Sequence, residues 1–90
     1  MVKLAYIGGG SLFVTSILNG VAQIMRFGAQ RYPVEISLYD VLAEKAQPMA
    51  AYGDILRSAW GVPMEVSVAS SRAEALEGAD VVIVSVWLRE

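Results

Sequence analysis

The stretch that most constrains the fold of this chain is residues 3–11. It reads Lys-Leu-Ala-Tyr-Ile-Gly-Gly-Gly-Ser, a short apolar run that ends in three glycines and a serine. A segment with helical spacing follows it. Glycines let a main chain approach an anion closely, and the free N–H groups at a helix start face negative charge. The stretch therefore predicts a strand followed by a turn of the kind that holds a nucleotide's phosphates.

The remainder of the chain alternates predicted strands and helices. We expect strands over residues 3–7, 34–39, 64–69 and 81–87. We expect helices from a cap at Ser11 to a stop at Gly28, over 43–60 and over 71–76. Because a helix separates each pair of strands, the strands are predicted to be parallel. The fold class is α/β, a Rossmann-like parallel sheet of β-α-β-α-β-α-β sequence and strand order 3-2-1-4.

That strand order suits the apolar pattern but leaves one edge open. Met64, Val66 and Val68 alternate with polar residues, as in a strand at a sheet edge, whereas residues 81–87 are almost uniformly apolar. The fourth strand would have no outer neighbour within 90 residues, and folded proteins avoid exposed apolar edges. We therefore expect residues 1–90 to be the N-terminal part of a Rossmann domain, truncated from a longer chain.

Each long helix carries a predicted buried stripe, identified by its three- and four-residue spacing. The first stripe comprises Val14, Ile17, Leu18, Val21, Ile24 and Met25, and the second comprises Met49, Tyr52, Ile55, Leu56 and Ala59. Pro48 lies inside the second helix. This helix is therefore expected either to start near Gln47 or to be loosened in its first turns.

Composition narrows the classes of function. The chain is 56% apolar and 18% charged, with a net charge of −2, which argues against disorder and against a nucleic-acid-binding surface. It has no cysteine and no histidine, which excludes a Ser-His-Asp triad and thiolate or imidazole metal sites within these residues. No uncharged apolar run approaches the roughly 20 residues of a membrane span. We expect a cytoplasmic protein.

The glycine turn matches part of a dinucleotide-binding motif. Gly8 and Gly10 occupy the first two glycine positions of G-x-G-x-x-G, and Gly9 between them is also a candidate for cofactor binding. Phe13 occupies the third position, where a glycine usually allows close packing of helix on strand. A P-loop is excluded, since no lysine lies between Gly8 and Arg26. The alternative is an ordinary tight turn that binds nothing.

Asp40 is the second candidate. It lies at the carboxyl end of the second predicted strand, thirty positions after Gly10, where about 20 is usual. A carboxylate there accepts hydrogen bonds from the ribose hydroxyls of an adenosine and repels the 2′-phosphate of NADP. Val41 and Leu42 follow, so no adjacent arginine offsets that repulsion, and NAD is predicted over NADP. Alternatively Asp40 caps the second helix, a role compatible with the first.

The end of the fourth strand is the third candidate. Residues at this place line the cofactor crevice of a Rossmann fold, which identifies Val86 and Trp87. Trp87 is alternatively a core or interdomain packing residue. Asp80 is interpreted as structural, and Lys45 as one of several solvated surface charges. No carboxylate pair and no nucleophile beside a base is evident, so no catalytic residue is assigned.

Three motifs taken together resemble the N-terminal NAD-binding part of the family 4 glycoside hydrolases. They are Tyr-Ile-Gly-Gly-Gly-Ser at residues 6–11, Leu-Tyr-Asp at 38–40 and Ala-Leu-Glu-Gly-Ala-Asp at 75–80. The family includes 6-phospho-glucosidases, α-galactosidases, α-glucuronidases and α-galacturonidases. The resemblance covers nearly the whole chain, which would be only the first part of a full-length member.

The resemblance implies that NAD⁺ is tightly bound and takes part in catalysis, as in the NAD-dependent exceptions to two-carboxylate glycoside hydrolysis. In the family the sugar's C3 hydroxyl is oxidised, the C2 proton is removed, the aglycone is eliminated, water adds and the C3 ketone is reduced. A divalent metal, commonly Mn²⁺, polarises the sugar oxygens, and its ligands would lie outside this chain. By position, the pyrophosphate would contact Gly8, Gly10, Ser11 and Leu12, and the adenosine ribose would contact Asp40.

The resemblance also bears on the substrate. Many members carry a glutamine and an arginine near the end of the fourth strand, where this chain has Ser-Val-Trp at residues 85–87. This difference favours a non-phosphorylated sugar, such as a uronic acid. The full-length protein is expected to be a homo-oligomer without nucleic-acid or membrane partners. Two alternatives remain: an NAD-dependent dehydrogenase of the lactate/malate or sugar-dehydrogenase type, and a non-catalytic nucleotide-binding Rossmann module.

Overall fold

A computed structural model describes residues 1–8, 10–28 and 32–85 of the chain. Strands and helices alternate along it. The elements are β1 (Val2–Ile7), α1 (Phe13–Phe27), β2 (Val34–Tyr39), α2 (Ala43–Trp60), β3 (Met64–Val68), α3 (Arg72–Leu76) and β4 (Val81–Val84). The predicted order of elements is confirmed. Their bounds agree with the prediction to within one residue except at the start of α1 and the end of β4, where residues 86–90 lie outside the described part.

The strands form one parallel sheet in the order β3-β2-β1-β4. In this register Tyr6 of β1 lies between Leu38 of β2 and Ile83 of β4. The predicted Rossmann-like α/β fold with strand order 3-2-1-4 is therefore confirmed. Because all the strands run in the same direction, the carboxyl ends of β1, β2 and β4 meet at one edge of the sheet, where this fold binds ligands.

The sheet is covered by helices on both faces. The larger cluster packs α1 and α2 on one face, and its fully buried side chains include Val14, Leu18, Tyr6, Ile36, Leu38 and Met64. On the other face, α3 packs Ala75 against Ala5 and Ala69. These alanines bring the short helix close to the sheet.

The predicted buried stripes of the helices are partly wrong. Val14, Leu18 and Met25 are buried as expected, but Ile24 is 70% exposed on α1 and Ile55 is 63% exposed on α2. Ala59 is exposed as well. Small residues replace these side chains against the sheet: Ala22 on α1, and Ala46 and Gly53 on α2.

Gly53 shows why small residues face the sheet. A Cβ at this position would collide with the side chain of Val66 on β3. The helix therefore lies so close to the sheet that a larger residue has no room there. Spacing rules that count only large apolar residues place the buried face of α2 one residue position away from where it lies.

The helix ends follow the prediction. The assigned start of α1 is Phe13, and Leu12 before it already has helical backbone angles. The Ser11 hydroxyl accepts a hydrogen bond from the N–H of Phe13 (3.2 Å). Gly28 ends α1 as predicted, with its N–H on the carbonyl of Ile24.

The second helix accommodates Pro48. It begins at Ala43, not near Gln47, and Pro48 lies in its second turn. Proline lacks one N–H and so removes one helical hydrogen bond, here at an exposed position of the helix. Gly61 ends the helix in the left-handed region with φ of +60°, and Pro63 follows.

The outer edge formed by β4 is uncovered within the described residues. Val81, Val82 and Val84 are 47%, 48% and 60% exposed, and β4 pairs only with β1 in the described sheet. This exposure agrees with the open apolar edge predicted from the sequence. Among the helices described in the structure, none combines the length and the apolar character needed to cross a membrane.

Candidate nucleotide-binding site

The glycine turn begins at Gly8, directly after β1. Gly8 has φ of +100° and donates its N–H to the carbonyl of Tyr39 at the end of β2 (2.8 Å). Ser85 donates its N–H to the carbonyl of Ile7 (2.8 Å). A Cβ on Gly8 would collide with the main-chain carbonyl oxygen of Ser85. Gly8 is thus required both by its positive φ and by the close approach of the chain after β4.

The turn then leads into α1. Ser11 donates its N–H to the carbonyl of Gly8 (2.9 Å), and Val14 donates its N–H to the carbonyl of Ser11 (3.1 Å). The N–H of Leu12 donates to no acceptor among the residues that the structure describes, and its side chain is 80% exposed. Leu12 therefore has, at the start of the helix, a main-chain N–H that no described residue accepts, which is the kind of donor that an anion site uses.

Asp40 faces this turn from the end of β2. Its Oδ2 accepts the N–H of Gly10 (2.9 Å), and its Oδ1 accepts the N–H of Leu42 (2.9 Å). Leu42 directly precedes α2, so the second bond shapes the entry to the helix and resembles the capping alternative. Each carboxylate oxygen has a further lone pair. Asp40 therefore retains the capacity to accept two hydroxyl groups while it holds the turn.

Gly10 is packed more tightly than the sequence indicates. A Cβ at this position would lie 2.5 Å from Cβ of Lys45 and 2.9 Å from Oδ2 of Asp40. The absence of a side chain at Gly10 thus lets the turn lie against the first turns of α2. Glycine at this position therefore has two reasons. It allows packing against α2, and it allows the main chain to approach a phosphate.

Lys45 was predicted as solvated surface, and its side chain is exposed. The sequence gives no sign that it adjoins the glycine turn, because thirty-five positions separate it from Gly10. The contact follows from the direction of α2, which brings residue 45 back over the turn. Lys45 is therefore a residue of the candidate site that sequence reasoning missed.

The structure also defines the limits of the site. Gly8, Gly10, Ser11, Leu12 and Asp40 are brought together at the carboxyl edge of the sheet. The other predicted cofactor residues, Gly9, Val86 and Trp87, lie outside the described residues. Within the described part of the chain, no group of three or more His, Cys, Asp or Glu side chains is arranged to hold a metal.

Asp80 lies away from the site and is structural, as predicted. Its Oδ2 accepts the N–H of Lys3 (2.8 Å), and its own N–H donates to the carbonyl of Lys3 (2.8 Å). These two hydrogen bonds join the residue before β4 to β1. The Lys3 ammonium donates to the carbonyls of Glu74 in α3 (3.0 Å) and of Glu77 directly after it (2.7 Å). These bonds tie the helix to the same strand.

Comparison with known proteins gives a consistent result. The profile of the family 4 glycosyl hydrolases matches residues 3–88. An α-galacturonidase of Thermoanaerobacter italicus is 35% identical over 86 residues, which are 94% of this chain and 17% of that protein. The chain thus spans less than a fifth of the length of this relative.

Solved structures share the fold. A putative glucosidase, LplD, from Bacillus subtilis superimposes with a TM-score of 0.71 at 29% identity, over 96% of this chain and 18% of that one. A 6-phospho-α-glucosidase from gut microorganisms, solved in complex with NAD and Mn²⁺, gives a TM-score of 0.78 at 24% identity. The match covers 94% of this chain and 19% of that one. A 6-phospho-β-glucosidase from Thermotoga maritima, solved with NAD and glucose-6-phosphate, gives a TM-score of 0.77 at 22% identity. The match covers 94% of this chain and 19% of that one.

Proposed function

This chain belongs to family 4 of the glycosyl hydrolases, and on that premise we propose that it is the N-terminal, NAD-binding part of a longer glycosidase. The longer protein would depend on NAD and on a divalent metal, which we expect to be Mn²⁺. Two 6-phospho-glucosidases with the same fold, one α-specific and one β-specific, have each been solved with NAD and manganese. The metal ligands and the catalytic residues would lie in other parts of the longer protein.

The observation that carries this proposal is the contact between Asp40 and Gly10. The carboxylate lies 2.9 Å from the main-chain nitrogen of the glycine turn, so the acid of the second strand and the turn after the first strand form one site. A dinucleotide needs this combination, with donors for its pyrophosphate beside an acceptor for its adenosine ribose. The residues present therefore fit the cofactor.

Each residue has a proposed role in binding. Gly8, Gly10, Ser11 and Leu12 would contact the pyrophosphate, with the N–H of Leu12 as a donor that no described residue accepts. Asp40 would accept the adenosine ribose hydroxyls through its remaining lone pairs. We also propose that Gly9, Val86 and Trp87, which lie outside the described residues, bind the cofactor.

When bound, the dinucleotide supplies a hydride acceptor for the sugar's C3 hydroxyl, which permits loss of the C2 proton, elimination of the aglycone and, after addition of water, reduction of C3. The described residues contribute binding and orientation to this sequence. Asp40 selects the unphosphorylated ribose by charge, and the rigid turn fixes the pyrophosphate relative to the sheet. We expect the 90 residues alone to be inactive.

The substrate is proposed to be a glycoside without a 6-phosphate. The relative with 35% identity is an α-galacturonidase, which supports a uronic acid at the cleaved position. A uronide also has a carboxylate at C5, and this group occupies the place where a 6-phospho-sugar has its phosphate ester.

The test uses the longer protein that contains this chain. Purified protein with NAD⁺ and Mn²⁺ is assayed with an α-galacturonide, a 6-phospho-glucoside and free hydroxy acids, while both released sugar and NADH are measured. The proposal predicts cleavage of the glycoside without net formation of NADH. Stoichiometric NADH from a hydroxy acid or sugar would instead support the dehydrogenase alternative, and binding without turnover would support the non-catalytic module.

A further inference from the structure

We propose that Lys45 is a determinant of cofactor specificity, acting as a counter-ion for a 2′-phosphorylated adenosine ribose that Asp40 normally excludes. This inference rests on the proposed function of the site. It adds Lys45, to which the proposed function gives no role. It concerns the choice between two dinucleotides that differ by one phosphate.

The geometry brings the base of the Lys45 side chain and the carboxylate of Asp40 to the same side of Gly10. The point that a Cβ of Gly10 would occupy is 2.5 Å from Cβ of Lys45 and 2.9 Å from Oδ2 of Asp40. The ribose must lie beside Asp40 to be bound by it. The Lys45 side chain therefore starts beside the carboxylate to which the proposed function assigns that ribose.

The ammonium of Lys45 is available for such a contact. Among residues 1–8, 10–28 and 32–85 it makes no hydrogen bond or ion pair, and the side chain is exposed. A lysine side chain is a compact positive charge on a flexible four-carbon stem, and lysine is a common ligand of phosphate. It can follow a phosphate group that is not fixed in one orientation.

Asp40 opposes this contact in the unaltered protein. A 2′-phosphate would place two negative groups side by side at the end of β2, which costs more than one lysine regains. Neutralising Asp40 removes the repulsion and leaves the attraction. The two residues together therefore set the preference, although only Asp40 can be identified from its place after a strand.

A second cation must be considered near the same strand end. The guanidinium of Arg72 lies 6.0 Å from the ring centroid of Tyr39, and the Tyr39 side chain packs with the alanine cluster beneath α3. Arg72 is therefore on the face of the sheet opposite to α2. Its removal separates a general effect of nearby positive charge from a specific effect of Lys45.

The test measures the dissociation constants of NAD⁺ and NADP⁺ by titration calorimetry on the longer protein. The variants are Asp40→Asn alone and combined in turn with Lys45→Gln, Arg72→Gln and Arg57→Gln. Arg57 is the matched control, because it is a cation of the same helix about 18 Å along the axis and is paired with Asp54. Each double variant loses the same charge.

We expect Asp40→Asn to improve NADP⁺ binding relative to NAD⁺ by tenfold or more. Adding Lys45→Gln should cancel most of that gain, about tenfold, whereas the arginine variants should retain it. A gain that survives Lys45→Gln, or that is lost equally with Arg72→Gln, would overturn the inference and leave the cofactor site intact. Failure of the unaltered protein to bind either dinucleotide would instead overturn the proposed function.

A second measurement compares two ligands on the same protein, so that an effect of Asp40→Asn on folding acts on both. In the Asp40→Asn background, Lys45→Gln should weaken binding of 2′,5′-ADP more than binding of ADP, since only the former carries the 2′-phosphate. Equal weakening of the two nucleotides, or no change in either, would contradict the assignment of Lys45 to the 2′ position.

Discussion

Gly8 and Ser85 are in contact through main-chain atoms, although seventy-seven positions separate them. A Cβ on Gly8 would collide with the carbonyl oxygen of Ser85, and Gly8 has φ of +100°. The end of β4 is thereby fixed against the turn that follows β1. The candidate cofactor site thus depends on the pairing of β4 with β1 as well as on the glycine motif itself.

Gly8→Ala is expected to destabilise the protein by several kcal/mol, because the positive φ alone costs an L-residue about 1–2 kcal/mol and the collision with Ser85 adds to it. Urea unfolding monitored by circular dichroism measures the change. Gly20→Ala is the control, since a Cβ there meets nothing within 4 Å and alanine favours a helix interior by roughly 0.5–1 kcal/mol. Equal stability of the two variants would contradict the contact.

Gly10→Ala tests the packing of the turn on α2. The added Cβ would be 2.5 Å from Cβ of Lys45, so we expect a loss of roughly 1–3 kcal/mol from overpacking. Lys45→Gly removes the opposing atom, and the double variant should lose less than the sum of the two single variants. Additive losses in a double-mutant cycle would show that the two positions do not touch.

Asp40→Ala is expected to weaken NAD⁺ binding by about a hundredfold or more, because it removes two charge-assisted hydrogen bonds to the ribose that are each worth about 1.5–3 kcal/mol. It should also lower stability, since the N–H groups of Gly10 and Leu42 lose their acceptor. Calorimetric titration and urea unfolding measure the two effects separately. Asp54→Asn, an exposed carboxylate on α2, is expected to change neither.

Glu74 is expected to make stability depend on pH in the acid range. The Ser70 hydroxyl donates to its Oε2 (2.6 Å), and this bond lowers the pKa of Glu74 below its ordinary value, with the Ser70 N–H and Lys3 acting in the same direction. A lowered folded pKa means that the stabilisation is present above the ordinary value of 4.5 and is lost as pH falls through the folded value.

The measurement for Glu74 is the urea midpoint at neutral and at acid pH for the unaltered protein and for Ser70→Ala. The serine variant should lose stability at neutral pH and should show a smaller further loss on acidification. The same pH dependence in both proteins would contradict the role of the Ser70 bond.

Much of the fold can be predicted from local sequence patterns. Strand and helix bounds follow from apolar spacing and from stops such as Gly28 and Gly61. The alternation of apolar and polar residues in β3 predicts an edge strand, and β3 lies at one edge of the sheet. The capping role predicted for Ser11 agrees with its hydrogen bond, since the hydroxyl accepts the N–H of Phe13. Helical backbone angles begin at Leu12, directly after it.

The sequence by itself determined the alternation of elements and the parallel sheet. It also determined two components of the site, the glycine turn with Gly8 and Gly10 and the carboxylate of Asp40, because a glycine turn and a strand end each have a local sequence pattern. Only the tertiary structure decided which helix positions are small and buried, such as Gly53 against Val66, and that Lys45 lies against Gly10. Those contacts depend on the distance and direction at which a helix crosses the sheet. Periodicity within one segment contains no information about either quantity.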